Sequence, residues 1–309
     1  MAHFLVTGGA GFIGSHLCDA LVARGDRVRV LDDLSTGHLT NLPPGVDFQK
    51  GDIADPETAQ AAMDGMDGCF HLAAIASVER GVTDWTGTHR VNLSGTIALF
   101  DAIRRSHNKI PMVYASSAAV YGDCQTNPIH EDCERAPLSA YGADKLGCEL
   151  HAKVASHVHG IPTVGLRFFN VYGPRQDPRS PYSGVISIFC ERIARGAPIA
   201  IYGDGAQTRD FVHVSDVVAA LLAGMALGAP GASVFNVCTG IATSVLDLAH
   251  TIASLVGSRL DHSFQPPRSG EIRHSLGDPT RLRARLNAND PTPLRAGLKE
   301  VLGWMAMGR

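Results

Sequence analysis

Two short segments of this chain carry residue types that can do chemistry. Thr7-Gly-Gly-Ala-Gly-Phe-Ile-Gly14 lies near the amino terminus, and Tyr141-Gly-Ala-Asp-Lys145 lies near the middle of the 309 residues. The first is typical of a turn that holds a dinucleotide. The second places a phenol and an ammonium at positions i and i+4, which share one face of a helix. Together they indicate an enzyme that removes a hydride and a proton from one carbinol.

The glycine-rich segment has the spacing of a cofactor loop between a strand and a helix. Gly8 would make the tight turn, Gly11 would let a pyrophosphate approach the backbone, and Gly14 would let the helix pack closely on the strand. Phe12 and Ile13 would begin the helix, whose unpaired N–H groups and positive dipole end favour phosphate binding. The alternative is an ordinary strand–turn–helix corner with no ligand.

Asp32 supports the dinucleotide interpretation. It lies 18 residues beyond Gly14, at the end of the second predicted strand. A carboxylate there can bind both hydroxyls of an adenosine ribose and would repel a 2′-phosphate. Asp33 follows, with no arginine directly after it. We therefore expect Asp32 and Asp33 at a site for NAD rather than NADP.

Two further strand ends offer contacts to the cofactor. Asp52 can accept a hydrogen bond from an adenine amino group while Ile53 packs against the ring; the alternative for Asp52 is a helix N-cap. Leu72, Ala73 and Ala74 end the next strand, where small residues let a cofactor backbone pass closely. Simple packing of strand against helix is the alternative for these three residues.

Tyr141, Lys145 and Ser117 form the predicted catalytic set. A free tyrosine has a pKa of about 10, so a phenolate near neutral pH needs positive charge nearby. The Lys145 ammonium and a bound nicotinamide ring would supply that charge, and Lys145 can also anchor the nicotinamide ribose. The Ser117 hydroxyl can share a proton with the substrate oxygen and with Tyr141. An exposed tyrosine beside a solvated lysine is the alternative.

Two supporting residues are predicted around this set. Ser116 and Ser117 are expected to follow the strand Met112 to Ala115, at the edge where ligands bind, and Ser116 is expected to contact the cofactor. Asn92, in a helix that should pack near the site, is expected to orient Lys145 through a water or the backbone. A purely structural role is the alternative for Ser116 and for Asn92.

The elements that position these residues alternate between short apolar runs and longer helical patterns. This alternation predicts a parallel sheet with helices on both faces. Right-handed crossovers then give a doubly wound, Rossmann-type α/β fold whose ligands bind at the carboxyl ends of the strands. The predicted strands are Phe4–Val6, Arg27–Leu31, one starting at Asp47, Gly68–Leu72, Met112–Ala115 and Thr163–Phe168, and the predicted helices are Ile13–Arg24, Pro56–Met63, Thr88–Ser106 and Ala140–His159.

The character of the sequence changes after Asn170, where a loop rich in proline and charge begins. We expect residues 1–170 to form an NAD-binding domain and residues 171–309 to form a smaller C-terminal α/β substrate domain. Part of residues 210–238 is expected to return to the large sheet. Ser244 to Asp247 predicts a helix start with a capping box, and Gly257 predicts the end of that helix.

Composition and charge exclude several function classes. The net charge of −3 gives no electrostatic footprint for nucleic acid or an anionic membrane. Apolar runs such as Val217 to Leu222 are far shorter than the roughly 20 residues of a membrane span. We expect a first strand at the amino terminus rather than a signal peptide. The seven irregularly spaced cysteines and fourteen scattered histidines predict free core thiols, a cytoplasmic location and no metal site.

The combined motifs resemble the extended short-chain dehydrogenase/reductase family, in particular its NAD-dependent epimerase/dehydratase branch and the nucleotide-sugar epimerases. The resemblance runs from residue 1 to about residue 280, nearly the whole chain. The segments that carry it are Thr7–Gly14, Asp32–Gly37, Gly51–Ile53, His71–Ala74, Ser116–Gly122, Ser139–Lys145, Arg167–Gln176, Gly203–Gly205, Arg209–Phe211 and Arg268–Glu271.

The resemblance implies a reaction, and one pair of residues narrows it. Related 4,6-dehydratases carry an Asp-Glu pair just after the serine or threonine position, and decarboxylases carry a glutamate there. This chain has Ala118-Ala119, whose methyl groups cannot act as acid or base. The sequence therefore resembles a nucleotide-sugar 4-epimerase, in which Tyr141, helped by Ser117, takes the proton of the 4-hydroxyl while NAD accepts the hydride. The flat 4-keto sugar then swings and is reduced on its other face.

Resemblance also implies how a UDP-sugar would be held. Asn170, Arg209 and Arg268 would bind the diphosphate, because arginine forks suit phosphate oxygens. Glu271 matches an acidic residue that holds the nucleotide ribose. Ser275 matches a position where a small residue admits N-acetyl sugars and a tyrosine excludes them. A surface position is the alternative for each arginine.

Ser77 completes the implied substrate residues, and a homodimer through helices around 92–106 and 141–158 is implied as well. The glucose/galactose, N-acetylhexosamine and glucuronate/galacturonate pairs all stay open as substrates. A dehydratase, decarboxylase or reductase of the same family also stays open, as does a non-catalytic NAD-binding sensor or scaffold, which belongs to a different functional class. Ser117, Tyr141 and Lys145 argue against the sensor, which has no use for them.

Overall fold

A computed structural model describes residues 1–106, 109–178, 184–228, 230–267, 272–286 and 290–308. The strands of these residues, in chain order, are β1 His3–Thr7, β2 Arg27–Asp32, β3 Asp47–Lys50, β4 Gly68–His71, β5 Met112–Ser117, β6 Thr163–Phe168, β7 Asn170–Tyr172, β8 Ile199–Tyr202, β9 Thr208–His213, β10 Ala232–Val237, β11 Ala242–Ser244, β12 His262–Gln265 and β13 His274–Ser275.

Most of the α-helices of the same residues follow a strand, and those that pack on the large sheet cover both of its faces. They are α1 Phe12–Ala23, α2 Pro56–Met63, α3 Val78–Thr83, α4 Trp85–His89, α5 Gly95–Arg105, α6 Ala140–His159, α7 Val185–Ala194, α8 Val214–Leu227, α9 Val245–Val256, α10 Thr280–Leu286 and α11 Leu294–Ala306.

Seven parallel strands form the large sheet in the order β10-β6-β5-β4-β1-β2-β3. The chain leaves β1 in one direction along the sheet and β4 in the other, so β1 and β4 flank the point where the strand order reverses. Open parallel sheets bind ligands at such a point, outside the carboxyl ends of the strands. The predicted Rossmann-type doubly wound sheet is confirmed.

Two apolar layers hold this sheet between its helices. One layer packs α1 and α8 against one face of the sheet, around Val6, Leu17 and Leu221. The other packs α2, α5 and α6 against the opposite face, around Leu5, Leu99 and Cys148. Strands buried on both faces are rich in Val, Leu and Phe, which is what a covered parallel sheet requires.

The smaller substructure is built from separate pieces of chain. Strands β7, β11 and β13 all pair with β9 in a small sheet, and β12 pairs with β8 in a second one. A third apolar cluster, which includes Phe189, Ile201 and Leu248, packs α7, α9 and α11 together. Strand β10 joins the large sheet, whereas β9 belongs to the small one. The division into two domains at residue 170 stays a prediction.

Several element boundaries agree with the sequence and several differ. Pro56–Met63, Ala140–His159 and Thr163–Phe168 are confirmed. Ser244 caps α9 as expected, and Gly257 ends it in the left-handed conformation. The helix predicted over Thr88–Ser106 is instead a longer run from Trp85 to Arg105 that contains a π-helical segment at 90–94. Periodicity cannot show such a segment, because one inserted residue barely disturbs a helical pattern.

Within the described residues, no helix is long and apolar enough to cross a membrane. All seven cysteines are free thiols, and six of them are buried. Among the residues that the structure describes, no three His, Cys, Asp or Glu side chains converge as a metal site would require.

Candidate active site

The glycine-rich loop joins β1 to α1 with little free space around its backbone. Gly8 has φ +70°, and a Cβ there would lie 2.6 Å from the backbone nitrogen of Ala73. A Cβ on Gly14 would lie 2.2 Å from the Gly8 carbonyl oxygen, so both positions require glycine. Gly11 is the N-cap of α1, and among the described residues no side chain caps it. The N–H groups of Phe12 and Ile13 at this helix end fit the phosphates of a dinucleotide.

Asp32 ends β2 beside this loop and is buried. Its two carboxylate oxygens accept from the backbone nitrogens of Ala10, at 3.0 Å, and Leu34, at 2.8 Å. Burial raises the pKa of Asp32, while these two hydrogen bonds oppose the rise. Each oxygen keeps a second lone pair for a ribose hydroxyl, so the residue fits its proposed role. Asp33 is exposed and accepts from the backbone nitrogen of Ser35.

Asp52 and Ile53 follow β3, but neither is a helix cap. The N-cap of α2 is Asp55, whose carboxylate accepts from Thr58, so the N-cap alternative for Asp52 is wrong. Asp52 instead pairs with Arg90 at 2.6 Å. Ile53 is 4% exposed and belongs to the apolar layer under α5, so its side chain contributes to the core whatever else its backbone contacts.

Leu72, Ala73 and Ala74 line the far side of the glycine loop, after β4. All three are half-buried, and the backbone of Leu72 and Ala73 touches Gly8. Asn92 holds the same segment: its side chain accepts from the backbone nitrogen of Ile75 at 2.7 Å and donates to the Ile75 carbonyl at 3.1 Å. The amide of Asn92 therefore clamps the loop at Ile75, and its expected role in orienting Lys145 stays a prediction.

Tyr141 and Lys145 lie one turn apart on α6, as predicted. Lys145 is only 2% exposed, and its Nζ donates to the Ala115 carbonyl of β5 at 2.8 Å. The same Nζ lies 5.8 Å from the centre of the Tyr141 ring. Tyr141 is half-buried. A buried ammonium beside a half-buried phenol is the arrangement that general base catalysis by a tyrosine needs, because positive charge favours the phenolate.

The two serines lie inside β5 and not after it, and their hydroxyls point to different places. The Ser117 Oγ accepts from the backbone nitrogen of Ala119 at 3.2 Å, which leaves its proton free to donate. Ser116 is 1% exposed, and its Oγ donates to Glu149 at 2.6 Å. Adjacent residues of a strand point to opposite faces. Only the backbone of Ser116 is therefore available for the predicted cofactor contact.

A buried ionic network lies beneath this strand, and sequence reasoning missed it. Glu149 binds the Arg167 guanidinium through two hydrogen bonds, at 2.6 and 2.8 Å. Arg167 also donates to the Tyr121 hydroxyl at 2.7 Å, and Tyr121 donates to the Asn236 side chain at 2.6 Å. Glu149 raises the pKa of Arg167. The pair joins α6 to β6, so nothing local in the sequence indicates it.

A second buried network of hydrogen bonds connects the glycine loop to α6. His71 meets the Thr7 hydroxyl at 2.7 Å and the Thr96 hydroxyl at 2.9 Å. Thr96 in turn lies 3.2 Å from the Cys148 thiol on α6. Burial, together with the Lys145 ammonium, lowers the pKa of His71 to about 3, so this histidine is neutral at physiological pH.

The small sheet brings the predicted substrate residues together. Asn170 pairs with Phe211 in β9, and Ser275 lies opposite Arg209 on the neighbouring strand. Asn170 and Arg209 line a cavity of about 420 Å³ between β8, β9 and α7. Arg209 donates to the Thr208 carbonyl at 2.8 Å. The cavity is large enough for part of a nucleotide and carries a cation at its wall.

The remaining predicted substrate residues divide into two kinds. Ser77 is buried, and its hydroxyl accepts from the backbone nitrogen of Arg80 as the N-cap of α3. The hydroxyl proton is left for another acceptor. Arg268 and Glu271 lie outside the described residues.

Comparisons with known proteins agree with this geometry. The profile of the NAD dependent epimerase/dehydratase family matches residues 4–238. A UDP-glucose 4-epimerase of Mycolicibacterium smegmatis is 40% identical over 276 residues, which cover 87% of this chain and 87% of that protein.

Two solved structures share the fold over nearly their whole length. A UDP-glucose 4-epimerase of Thermotoga maritima with UDP-glucose is 34% identical and covers 99% of each chain with a TM-score of 0.94. A UDP-N-acetylglucosamine 4-epimerase of Methanobrevibacter ruminantium with UDP-N-acetylmuramic acid is also 34% identical, covers 100% of this chain and 99% of that one, and has a TM-score of 0.94. The chain belongs to the NAD-dependent epimerase/dehydratase family.

Proposed function

We propose that this protein is a UDP-hexose 4-epimerase that inverts C4 of a nucleotide sugar through a transient 4-keto sugar. The observation that carries the proposal is the pairing of Tyr141 with a buried Lys145, whose Nζ is held by Ala115 at the carboxyl end of β5. Family relatives named as 4-epimerases, of both UDP-glucose and UDP-N-acetylglucosamine, support it.

Tyr141, Ser117 and Lys145 then have separate roles in the proposed reaction. NAD, when bound, would supply the acceptor for the C4 hydride and, once reduced, the donor that returns it. Tyr141 takes the proton of the 4-hydroxyl as the hydride leaves, and it gives a proton back as the hydride returns. Ser117 can donate its free proton toward the sugar oxygen. Lys145, held by the Ala115 carbonyl, places positive charge 5.8 Å from the centre of the Tyr141 ring.

The turn after β5 argues against elimination or decarboxylation. Residues 118–121 form a 3-10 turn directly after Ser117 and include Ala118 and Ala119. Loss of water or carbon dioxide needs an acid or base near C5 or C6 of the sugar. The two alanine side chains cannot supply one at this turn, so a simple return of the hydride is favoured over dehydration and decarboxylation.

We expect the UDP group to lie at the small sheet. Asn170 and Arg209 share one cavity wall, and Arg209 lies opposite Ser275 in the β9–β13 register. Arg268 and Glu271 are proposed to complete the grip on the phosphate and ribose. The sugar must turn over between the two hydride transfers, so tight binding belongs at the nucleotide end and free space at the sugar end.

Ser275 is proposed to leave room for an N-acetyl group. Replacing it with tyrosine should fill that room and lower kcat/KM for UDP-N-acetylglucosamine relative to UDP-glucose by roughly ten-fold. Ser275→Thr, which adds only a methyl group, is the matched control and should change the ratio little. An unchanged ratio in Ser275→Tyr would contradict this assignment.

We also propose a homodimer through α5 and α6, which pack side by side. Leu150, Val154 and Val158 lie four residues apart on α6 and are 56%, 54% and 62% exposed. Ile97 on α5 is also exposed. A stripe of this kind on two neighbouring helices favours burial against a second copy. Light scattering should give twice the chain mass for the wild type and one chain mass for Val154→Glu; a monomeric wild type would refute the dimer.

The direct test incubates the purified protein, without added NAD, with UDP-glucose, UDP-N-acetylglucosamine and UDP-glucuronate separately. Chromatography and proton NMR should reveal a C4 epimer of unchanged mass, and the relative rates would identify the preferred sugar. No epimer from any substrate, even with NAD supplied, would overturn the proposal. Loss of water or carbon dioxide would assign a dehydratase or decarboxylase activity instead.

A further inference from the structure

A loop from the substrate side of the molecule reaches across to the helix that starts at the cofactor loop. The Pro174 carbonyl lies 2.9 Å from the Nε2 of His16 on α1. The next residue, Arg175, pairs with Asp19 on α1 at 2.7 Å. His16 also contacts the ring of Phe12 at the start of α1. One face of the cofactor helix is therefore covered by residues 174 and 175.

Arg175 has a second partner in the segment that follows Asp32. Its guanidinium donates to the Asn41 carbonyl at 3.5 Å, the long limit for a hydrogen bond. The Asn41 side chain donates to the Ala10 carbonyl in the glycine loop at 3.0 Å, and the His38 nitrogen donates to the same carbonyl at 3.0 Å. Arg175 thus joins three pieces of chain: α1, residues 33–41 and its own loop.

Residues 33–41 lie directly over the glycine loop. A Cβ built on Gly37 would be 2.9 Å from the Ala10 carbonyl carbon, so the two backbones touch. Asp32, which precedes this segment, is proposed to bind the adenosine ribose, and the glycine loop is proposed to bind the pyrophosphate. A dinucleotide held by both would lie beside residues 33–41.

The backbone of Arg175 indicates that this contact is imposed by the surroundings. Arg175 has φ +67°, a left-handed conformation that non-glycine residues seldom adopt. Such a conformation persists only where neighbouring contacts hold it, and it is often found at ligand clamps. The pair itself is moderately shielded from solvent, with the Arg175 and Asp19 side chains 26% and 39% exposed.

We propose that Arg175 is a cofactor-retention residue, which braces residues 33–41 against α1 and so slows the release of NAD. A 4-epimerase has a particular need for this. The hydride that leaves C4 must return to the same sugar, so loss of the cofactor between the two transfers would leave the enzyme with a ketone it cannot reduce. This inference rests on the proposed function only through the identity of the cofactor.

The test measures cofactor release and not turnover. Protein loaded with NADH is mixed with a large excess of NAD, and the decay of nicotinamide fluorescence gives the dissociation rate. Arg175→Ala should release NADH about ten-fold faster, which corresponds to roughly 1.4 kcal/mol. Asp19→Asn should raise the rate in the same direction but less, because an amide oxygen still accepts a hydrogen bond from Arg175.

Arg24→Ala is the matched control. Arg24 lies at the other end of α1, where its half-exposed side chain pairs with Asp26, so its removal should leave the rate unchanged. Arg175→Gly separates the contact from the strain, since glycine accepts a positive φ without penalty but carries no guanidinium. We expect it to release NADH as fast as Arg175→Ala.

Three results would overturn the proposal. Wild-type release rates in Arg175→Ala would show that the contact does not limit release, and an equal rise in Arg24→Ala would show a general loosening of α1. If Arg175→Ala fails to fold, Asp19→Asn decides alone, because it leaves the loop backbone unchanged. No binding of NADH or NAD by the wild type would instead reject the cofactor, and with it the proposed function.

Discussion

The cofactor side and the substrate side of the cleft are assembled in different ways. The proposed dinucleotide site comes mostly from one continuous stretch, β1–α1–β2, closed by the segment after β4. The proposed UDP site gathers Asn170, Arg209 and Ser275 from three strands that are distant in sequence. Local turns and close backbone contacts determine the first site, whereas strand register determines the second.

This difference has a functional consequence. The residues proposed to act on C4 lie on β5 and α6, which together we call the platform. Lys145 is buried, and the opposite face of β5 is held by Glu149, which pairs with Arg167. The substrate residues line an open cavity instead. We expect substitutions on the platform to reduce turnover or folding, and substitutions at the cavity to change affinity and selectivity.

The largest effect is expected at the platform, from Tyr141→Phe. This change removes the phenolic oxygen and leaves the ring in place, so kcat should fall by about 10³ to 10⁴-fold. NAD content should stay that of the wild type, because Lys145 keeps its bond to Ala115. Coupled epimerase assays and the NAD absorbance of the purified protein check the two parts. Full activity in this variant would contradict the assigned base.

Glu149→Ala tests how much the buried Glu149–Arg167 pair beneath β5 contributes to stability. Arg167 is 1% exposed, and without its carboxylate partner it becomes an unpaired buried charge. The free energy of unfolding should fall by about 3–5 kcal/mol. Asp101→Ala, which breaks two exposed pairs with Arg104 and Arg105, should lower it by less than about 1 kcal/mol. If urea unfolding showed equal losses of unfolding free energy in the two variants, the buried network would contribute no more to stability than an exposed ion pair.

Arg209→Ala tests the cavity side. Loss of a charged hydrogen bond to a phosphate should weaken binding by about 1.5–3 kcal/mol, or roughly ten- to a hundred-fold in KM. The value of kcat should change little, because Arg209 is remote from C4 in the proposed binding mode. Arg195→Ala, at an exposed surface pair, is the control. A fall in kcat with unchanged KM would remove the distinction between the two sides.

The effect that is smallest near neutral pH concerns the hydrogen-bond network that runs from the glycine loop through His71 to Thr96 and Cys148. The folded protein keeps this histidine neutral, with a pKa of about 3, whereas a free histidine titrates near 6.5. Between these values the unfolded chain binds more protons, so stability falls as the pH falls, by at most about 1.4 kcal/mol per pH unit. His71→Asn should flatten this dependence in urea titrations from pH 8 to pH 4.

His151→Asn provides the comparison for that measurement. His151 is exposed on α6, so its replacement should leave the pH dependence of stability as in the wild type. An identical slope in His71→Asn and wild type would show that His71 is not the group responsible.

The two sides also differ in how much of them the sequence predicts. Gly8, Gly14, Asp32, Tyr141 and Lys145 are placed by local rules of turn geometry and helical spacing, which operate within a few residues. The hydrogen bonds of the Ser116 and Asn92 side chains could not be predicted. Tertiary packing decides which face of the sheet a strand residue points to and which loop a helix residue contacts. The Glu149–Arg167 pair joins a helix to a strand and has no local signature.

On the substrate side, only resemblance identified the residues. Nothing local to Asn170, Arg209 or Ser275 predicts that β7, β9 and β13 lie side by side, since this depends on non-local strand pairing. Arg175 was missed for the same reason: the sequence places it in a loop, and only the fold brings that loop to α1.

The central claim is that the C4 hydride leaves the sugar for bound NAD and returns to the same carbon. UDP-glucose carrying deuterium at C4 should be converted, without added NAD and in ordinary water, to an epimer that keeps its deuterium at C4, as read by proton NMR and mass spectrometry. Replacement of that deuterium by solvent hydrogen in the epimer would contradict the account.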